Sequence, residues 1–189
     1  MPPRPTMPPR QRRPLPGEPV GGKLAERVLR VDHAGDYGAK RIYEGQLAVL
    51  GDGPATQAIR EMAAAEAEHL AWFDTALVAR RVRPTALHPF WHVAGYALGA
   101  ATALLGPKAA MACTVAVEEA IDEHYQAQEE ALGDTEPELK SAIEPFHADE
   151  LHHRDTALEH EAEKAPGYRA MKGAIKRGVK TAIWLAERI

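Results

Sequence analysis

Apolar residues recur along this chain at spacings of three and four, and glycine and proline interrupt the pattern at intervals. Residues three or four apart lie on one face of an α-helix, so the pattern predicts amphipathic helices. The breaks divide it into six segments, at 24–50, 55–80, 91–105, 108–132, 137–164 and 168–189. The sequence has no sustained two-residue alternation of the kind that marks a half-buried strand. We therefore predict an all-α fold.

Two copies of a Glu-x-x-His motif lie in the second and fifth segments, at Glu66–His69 and Glu150–His153. An acidic residue precedes each copy by about one helix and one loop: Asp36 lies 30 residues before the first copy and Glu118 lies 32 before the second. Equivalent positions in the two halves are 82 to 84 residues apart, so helices one and two correspond to helices four and five. The arrangement predicts a ferritin-like four-helix bundle with a crossover helix and an extra C-terminal amphipathic helix.

These acids and histidines form the ligand set of a two-metal carboxylate site. A glutamate and a histidine three residues apart project from the same face of a helix. Four carboxylates balance two divalent ions, and a mixed nitrogen and oxygen set suits iron better than copper(I). A single such motif is most often a solvated helix face, but two copies with matched upstream acids favour metal binding. The predicted metal ligands are Asp36, Glu66, His69, Glu118, Glu150 and His153.

A third Glu-x-x-His, Glu144–His147, is not expected to bind metal. Its glutamate follows Glu118 by only 26 residues and lies about 240° around the helix from Glu150. The remaining histidines lack the ligand spacing, and surface or capping positions are predicted for them: His33, His88, His92, His124, His152 and His160.

Composition limits the partners and the extent of the folded part. Residues 1–22 are rich in proline and arginine, which predicts a disordered tail and leaves 23–189 as one folded domain. A net charge of -4 argues against a nucleic-acid partner. The single cysteine, Cys113, lies in an apolar run and is predicted to be a small buried residue, which fits a reducing compartment.

Two segments are candidates for contact with a membrane. Residues 91–107 carry no formal charge, but the run is shorter than the roughly 20 apolar residues needed to span a bilayer. It suits either a crossover helix or an interfacial segment beside a lipophilic pocket. The last helix combines basic residues with an apolar stripe, as helices on anionic membrane surfaces do. Packing against the bundle accounts for that stripe equally well, so both alternatives stay open.

Several runs of residues resemble the demethoxyubiquinone hydroxylase family. They are RVDHAG at 30–35, YGA at 37–39, IY-x-GQ at 42–46, RVRPT at 81–85, ALGA at 97–100, MACTVAVEE at 111–119 and LAER at 185–188. The similarity covers about residues 24–189. It implies a di-iron monooxygenase with two iron ions per chain, which hydroxylates the ring of a polyprenyl quinone in ubiquinone biosynthesis.

The resemblance also carries expectations about partners and location. It implies O2 as a co-substrate and electrons that come ultimately from NADH. It implies a protein at the membrane surface, on the cytoplasmic face of the inner membrane if the source is bacterial. A homo-oligomer or partner proteins of ubiquinone biosynthesis are compatible with it. The competing functions are a ferroxidase or manganese-catalase-like protein with the same ligands, and a non-catalytic membrane-associated adaptor.

The family's ligands match the six predicted residues with one departure. The family has glutamate where this chain has Asp36, whose side chain is shorter by one methylene, or about 1.5 Å. The family's His-Tyr pair corresponds to His124 and Tyr125, for which the resemblance suggests a catalytic role. Tyr125 lies seven residues after Glu118 and therefore on the same helix face, so it could pass electrons or protons; an ordinary buried tyrosine is the alternative.

Overall fold

A computed structural model describes residues 22–134 and 136–189, and these residues form helices and no strand. The α-helices are α1 (Lys23–Leu47), α2 (Pro54–Arg80), α3 (His88–Leu104), α4 (Pro107–Leu132), α5 (Pro137–Glu159) and α6 (Tyr168–Ala186). The all-α prediction is confirmed. The tail predicted for residues 1–22 lies, apart from Gly22, outside the described residues.

Prolines begin several of these helices. Pro54, Pro107 and Pro137 stand in the first turn of α2, α4 and α5, where a missing backbone N–H costs no hydrogen bond. The predicted end of the fifth helix at residue 164 is wrong. The backbone of Glu161 turns left-handed with φ 61°, which ends the helix, and a short 3₁₀ turn follows at Ala162–Lys164.

The bundle is built from two helix pairs, as the internal repeat predicts. Helix α1 packs against α2, and α4 packs against α5. Helix α3 connects the pairs and lies along α1, while α6 packs on α4. Helix α3 is therefore the predicted crossover and α6 the predicted additional C-terminal helix, and Cys113 is fully buried, as predicted.

Ion pairs attach α6 to α4. Lys172 and Lys176 bind Glu119, with N–O distances of 2.8 and 3.0 Å, and Lys176 and Lys180 bind Glu123. Three of the basic residues that suggested a membrane-binding helix thus pair with carboxylates of the bundle. The pairing favours packing as the explanation of the apolar stripe on α6.

Glycines bring α1 and α3 into backbone contact. A Cβ atom placed on Gly99 would lie 1.9 Å from the backbone oxygen of Ile42, and one on Gly45 would lie 2.2 Å from the backbone oxygen of Tyr96. No residue with a side chain fits at such distances. These glycines therefore set the separation of the two helices.

The outer side of α3 exposes large apolar side chains. Phe90 is 59% exposed, Val93 66% and Leu104 75%. Within the described parts of the chain, no helix has the length and apolar character needed to cross a membrane.

Candidate metal centre

The six predicted ligands meet inside the bundle. Helices α1, α2, α4 and α5 each contribute at least one of them, and none of the six residues is more than 3% exposed. Their ligand atoms form two overlapping groups, each with all its atoms within 4.8 Å of one another. One group contains Glu66, Glu118, Glu150 and His153, and the other contains Asp36, Glu66 and His69. Asp36 reaches its group despite its shorter side chain.

The two glutamates of the repeated motif lie between the two histidines. Glu150 places one carboxylate oxygen 3.6 Å from Nδ1 of His69 and the other 3.3 Å from Nδ1 of His153. Glu66 does the same, at 4.0 Å from His69 and 3.3 Å from His153. Each glutamate thus offers one oxygen to each half of the site, which is the arrangement of a bridging carboxylate. Asp36 and Glu118 would then be the terminal ligands of a bound metal pair.

The donor atoms of this centre fit a pair of metal ions. Buried polar atoms normally have hydrogen-bond partners, because an unpaired one costs free energy. Seven buried atoms of the centre have none: Oδ2 of Asp36, both oxygens of Glu66, Nδ1 of His69, Oε2 of Glu118, Oε2 of Glu150 and Nδ1 of His153. Cations coordinated at the centre would satisfy all of them. The buried cluster is therefore compatible with a metal site of oxygen and nitrogen ligands.

Burial shifts the pKa values of the acids in this centre. Burial, with the nearby charge of Glu66, raises the pKa of Asp36 well above its usual range. Burial and Glu150 do the same to the pKa of Glu118. Burial opposes ionisation of Glu150 as well, but the adjacent imidazoles of His153 and His69 outweigh it, so the pKa of Glu150 is lowered instead. Excess negative charge in the centre is thus unfavourable unless protons or cations neutralise it.

The pKa values of the two histidines of the centre are also raised, which for a histidine favours the charged form. Burial alone would lower the pKa of His69, but the hydrogen bond with Asp149 and the nearby carboxylate of Glu150 raise it to about 11. His153 has a pKa of about 11 because Glu150 and Glu66 outweigh its burial. Since a metal binds neutral imidazole, metal uptake at this centre must release protons.

Sequence reasoning missed two residues that form hydrogen bonds with predicted ligands. Asp149 accepts a hydrogen bond from Nε2 of His69 at 3.1 Å, which leaves Nδ1 directed at the centre. Tyr43 is 1% exposed and donates a hydrogen bond from its hydroxyl to Oε1 of Glu118 at 2.8 Å. A signal for Tyr43 was available, because it follows Asp36 by seven residues just as Tyr125 follows Glu118.

Tyr125 and His124 belong to neither ligand group. Tyr125 is 2% exposed, and its hydroxyl has no hydrogen-bond partner. Its ring stacks on His147 at 5.3 Å. His124 is half-buried and lies 2.8 Å from the amide nitrogen of Gln128.

A buried aspartate extends this polar region and was also missed. Asp32 is 4% exposed and accepts a hydrogen bond from the Gln128 amide at 2.6 Å. Burial raises the pKa of Asp32 to about 8, although that hydrogen bond partly opposes the shift. Asp32 precedes Asp36 by one helical turn, so the polar region reaches the edge of the centre.

The residues of the third motif do not join the centre. Glu144 is exposed, and His147 binds Asp122 at 2.8 Å and Glu129 at 2.9 Å. The predicted surface position of His33 is wrong. His33 is 4% exposed because it packs between helices, where its Nε2 bonds Asp74 at 3.0 Å.

Comparisons with known proteins identify similar chains. The family described as "Ubiquinone biosynthesis protein COQ7" matches residues 23–186. A 3-demethoxyubiquinol 3-hydroxylase of Rhodospirillum rubrum is 56% identical over 176 residues, which cover 93% of this chain and 83% of that protein. A mitochondrial NADPH-dependent 3-demethoxyubiquinone 3-hydroxylase of Bos taurus is 51% identical over 174 residues, covering 90% and 80%. A mitochondrial 5-demethoxyubiquinone hydroxylase of Saccharomyces cerevisiae is 40% identical over 184 residues, covering 87% and 78%.

Proposed function

The chain belongs to the COQ7 family of ubiquinone biosynthesis proteins, and on that premise we propose that it hydroxylates the ring of a demethoxy polyprenyl quinone or quinol with a pair of iron ions. The observation that carries the proposal is a buried six-ligand centre beside an apolar cavity. The overall reaction consumes O2, two electrons and two protons, adds one oxygen atom to a ring carbon and forms one water.

The ligand set supports iron as the cofactor. The bridging pair Glu66 and Glu150 would hold two ions close together, with Asp36 and His69 completing one position and Glu118 and His153 the other. Iron bound there would supply the redox chemistry that activates O2 for transfer of one oxygen atom to the ring. Tyr43 and Asp149 would keep their ligands oriented, and the surrounding bundle would exclude water.

An apolar cavity of about 460 Å³ lies between α1, α3, α4 and α6. Its walls are apolar side chains and glycines, and they include Gly35 and Val117, which directly precede Asp36 and Glu118. A substrate in this cavity would therefore have its reacting end next to the metal centre. The cavity favours a hydroxylase over a ferroxidase or a manganese-catalase-like protein, since iron and peroxide need no apolar pocket.

The volume of the cavity supports contact with a membrane surface. A volume of about 460 Å³ falls within the range of small-molecule pockets, roughly 300–1,000 Å³. That is enough for a substituted quinone ring and the start of its tail. The rest of a polyprenyl tail would stay in lipid. The exposed apolar side chains Phe90, Val93, Leu104 and Trp184 are suited to rest on a bilayer.

Peripheral attachment to the inner membrane, on its cytoplasmic face in a bacterium, is the location we propose. Some relatives are named NADPH-dependent, so the electrons would come from a nicotinamide nucleotide, NADH or NADPH. A role for Tyr125 and His124 in moving protons or electrons stays a prediction, supported by the buried hydroxyl of Tyr125 beside the centre. Self-association and binding of other ubiquinone-biosynthesis proteins also stay predictions.

The first test is the quinone profile of a hydroxylase-deficient bacterial strain, measured by mass spectrometry with and without this gene. We expect the demethoxy intermediate to disappear and ubiquinone to return. Persistent accumulation of the intermediate, with the folded protein present in the cells, would refute the proposed reaction. A strain carrying Asp36→Glu then shows whether the shorter ligand limits turnover.

A substitution in the cavity wall tests where the substrate binds. Gly178 of α6 lines the cavity, and a Cβ atom added there meets no other atom within 4 Å. We expect Gly178→Leu to extend into the cavity and raise the KM for a tail-bearing quinone by ~10-fold, as filling an apolar pocket does. The measurement is steady-state kinetics of the iron-loaded protein.

Gly173→Leu is the matched control. Gly173 also lies on α6 with open space at its Cβ position, but it is not part of the cavity wall. Its KM should equal that of the unsubstituted protein. Equal kinetics for the two variants would show that the quinone does not use this cavity.

A further inference from the structure

Two tyrosines occupy equivalent positions in the two halves of the bundle but have different surroundings. Tyr43 follows Asp36 by seven residues on α1, and Tyr125 follows Glu118 by seven residues on α4. Both side chains are buried, at 1% and 2% exposure. The hydroxyl of Tyr43 donates a hydrogen bond to Oε1 of Glu118 at 2.8 Å. The hydroxyl of Tyr125 has no hydrogen-bond partner.

The register between α1 and α4 places Tyr125 opposite Asp36. Tyr43 bonds Glu118, and Asp32, eleven residues earlier on α1, bonds Gln128, ten residues later on α4. The two helices are therefore antiparallel along this contact. Asp36 lies seven residues before Tyr43 on α1, and Tyr125 lies seven residues after Glu118 on α4. On antiparallel helices these equal steps place Asp36 opposite Tyr125, as Tyr43 is opposite Glu118.

The charges around Tyr125 agree with this register. Burial raises the pKa of Tyr125 well above its usual range, and the charges of Asp32 and Asp36 add to the effect. Asp36 also has an unpartnered oxygen, Oδ2. The hydroxyl of Tyr125 and the carboxylate of Asp36 are thus neighbouring buried polar groups, and the hydroxyl stays unpaired.

The length of the acidic side chain explains the difference between the halves. At position 118 a glutamate reaches the hydroxyl of the tyrosine opposite. At position 36 the aspartate is shorter by about 1.5 Å, one carbon–carbon bond. A side chain shorter by that much lengthens a donor–acceptor distance of about 2.8 Å to beyond 3.5 Å, where a hydrogen bond no longer forms.

We propose that Tyr43 and Tyr125 are equivalent positioning residues, each placed to hold the terminal carboxylate of the opposite half, and that only Tyr43 does so in this chain because Asp36 is too short. It follows that the ion bound by Asp36 and His69 has the less constrained terminal ligand. The inference rests on metal binding by the six residues, which is part of the proposed function.

The test compares tyrosine removal in two backgrounds by calorimetric titration of the full chain with Fe²⁺ in the absence of O2. Tyr43→Phe removes the hydrogen bond to Glu118, and we expect it to weaken one of the two Fe²⁺ binding steps by ~10-fold, the lower end for loss of a ligand-orienting contact. Tyr125→Phe should leave both steps within about twofold of the unsubstituted protein, because its hydroxyl orients no ligand.

The second background is Asp36→Glu, which lengthens the terminal ligand. There we expect Tyr125→Phe to weaken one Fe²⁺ step by ~10-fold, since the hydroxyl then has a carboxylate to hold. A merely structural tyrosine would show no such dependence on position 36. Thermal unfolding of the metal-free variants provides a second measurement, in which Tyr125→Phe should lower the midpoint in the Asp36→Glu background only.

The outcomes separate this inference from the proposed function. Equal effects of Tyr125→Phe in both backgrounds, or no effect of Tyr43→Phe, would overturn the pairing while the metal centre stands. Failure of the unsubstituted, folded protein to bind Fe²⁺ would overturn the metal centre itself, and the pairing with it.

Discussion

Glu66→Gln is expected to abolish metal binding and hydroxylation together. Both oxygens of Glu66 lack hydrogen-bond partners and face the two histidines, so the substitution weakens the coordination of both ions. We expect fewer than one iron ion per chain after anaerobic reconstitution. Turnover should fall by at least ~1,000-fold, which corresponds to about 4 kcal/mol of activation free energy. Elemental analysis and quinone hydroxylation assays measure the two effects.

In the metal-free protein, the same Glu66→Gln substitution should increase the stability of the fold. Burial and the nearby charge of Glu150 raise the pKa of Glu66 above its usual value of 4.5. A raised carboxyl pKa in the folded state costs stability as the pH rises above the pKa of the unfolded chain. Glutamine does not ionise, so Glu66→Gln should stabilise the metal-free fold at pH 7 and reduce its loss of stability above about pH 4.5. Chemical denaturation at several pH values checks this.

Glu144→Gln is the matched control for both effects. Glu144 belongs to the third Glu-x-x-His, and it is exposed and outside both ligand groups. This variant should keep its iron, its turnover and its stability. Normal iron content in the Glu66 variant, or loss of iron in the Glu144 variant, would show that the ligands were assigned incorrectly.

Gly99→Ala is expected to have the largest effect on stability. A methyl group there would lie 1.9 Å from the backbone oxygen of Ile42 and 2.8 Å from its backbone carbon. Backbone atoms cannot rotate away as a side chain can, so α3 must move away from α1. We expect a loss of about 3 kcal/mol, the upper end for overpacking, and a thermal midpoint lower by roughly 6–12 °C.

Gly173→Ala serves as the control for Gly99→Ala. The same methyl group added to α6 meets no atom within 4 Å. Because alanine is a better helix former than glycine, this variant should gain about 0.5–1 kcal/mol. A Gly99 variant as stable as the unsubstituted protein would mean that the backbones of α1 and α3 are not in contact at this position.

The helices, and the six residues that meet in the buried centre, could be predicted because their signals are local. A glutamate and a histidine three residues apart share a face wherever a helix forms, so the pair Glu150 and His153 can be recognised within a single turn. The same motif recurs at Glu66 and His69, and an acid precedes each copy at a similar distance, Asp36 in one half and Glu118 in the other. This repeat also predicts which helices pair. The end of α5 was less predictable, since it depends on the single left-handed residue Glu161.

Contacts between distant residues could not be predicted in the same way. The hydrogen bond from Tyr43 to Glu118 joins residues 75 apart, and the burial of His33 depends on Asp74, 41 residues away. Neither pair has a spacing that a helix imposes. Asp149 was overlooked for a related reason, since only the position of His69 on another helix distinguishes it from a solvated acid.

The sequence by itself determined the helical class, the two-fold repeat, the residues that meet in the buried centre and the resemblance to a family that the comparisons confirm. It could do so because periodicity and ligand spacing are properties of one or two helices. Only the tertiary structure decided that α3 lies against α1, that α6 packs on α4, and that a cavity opens between them beside Asp36. Those features depend on how closely separate helices approach. That distance is set by side-chain volume at positions such as Gly99, which become neighbours of Ile42 only in the folded chain.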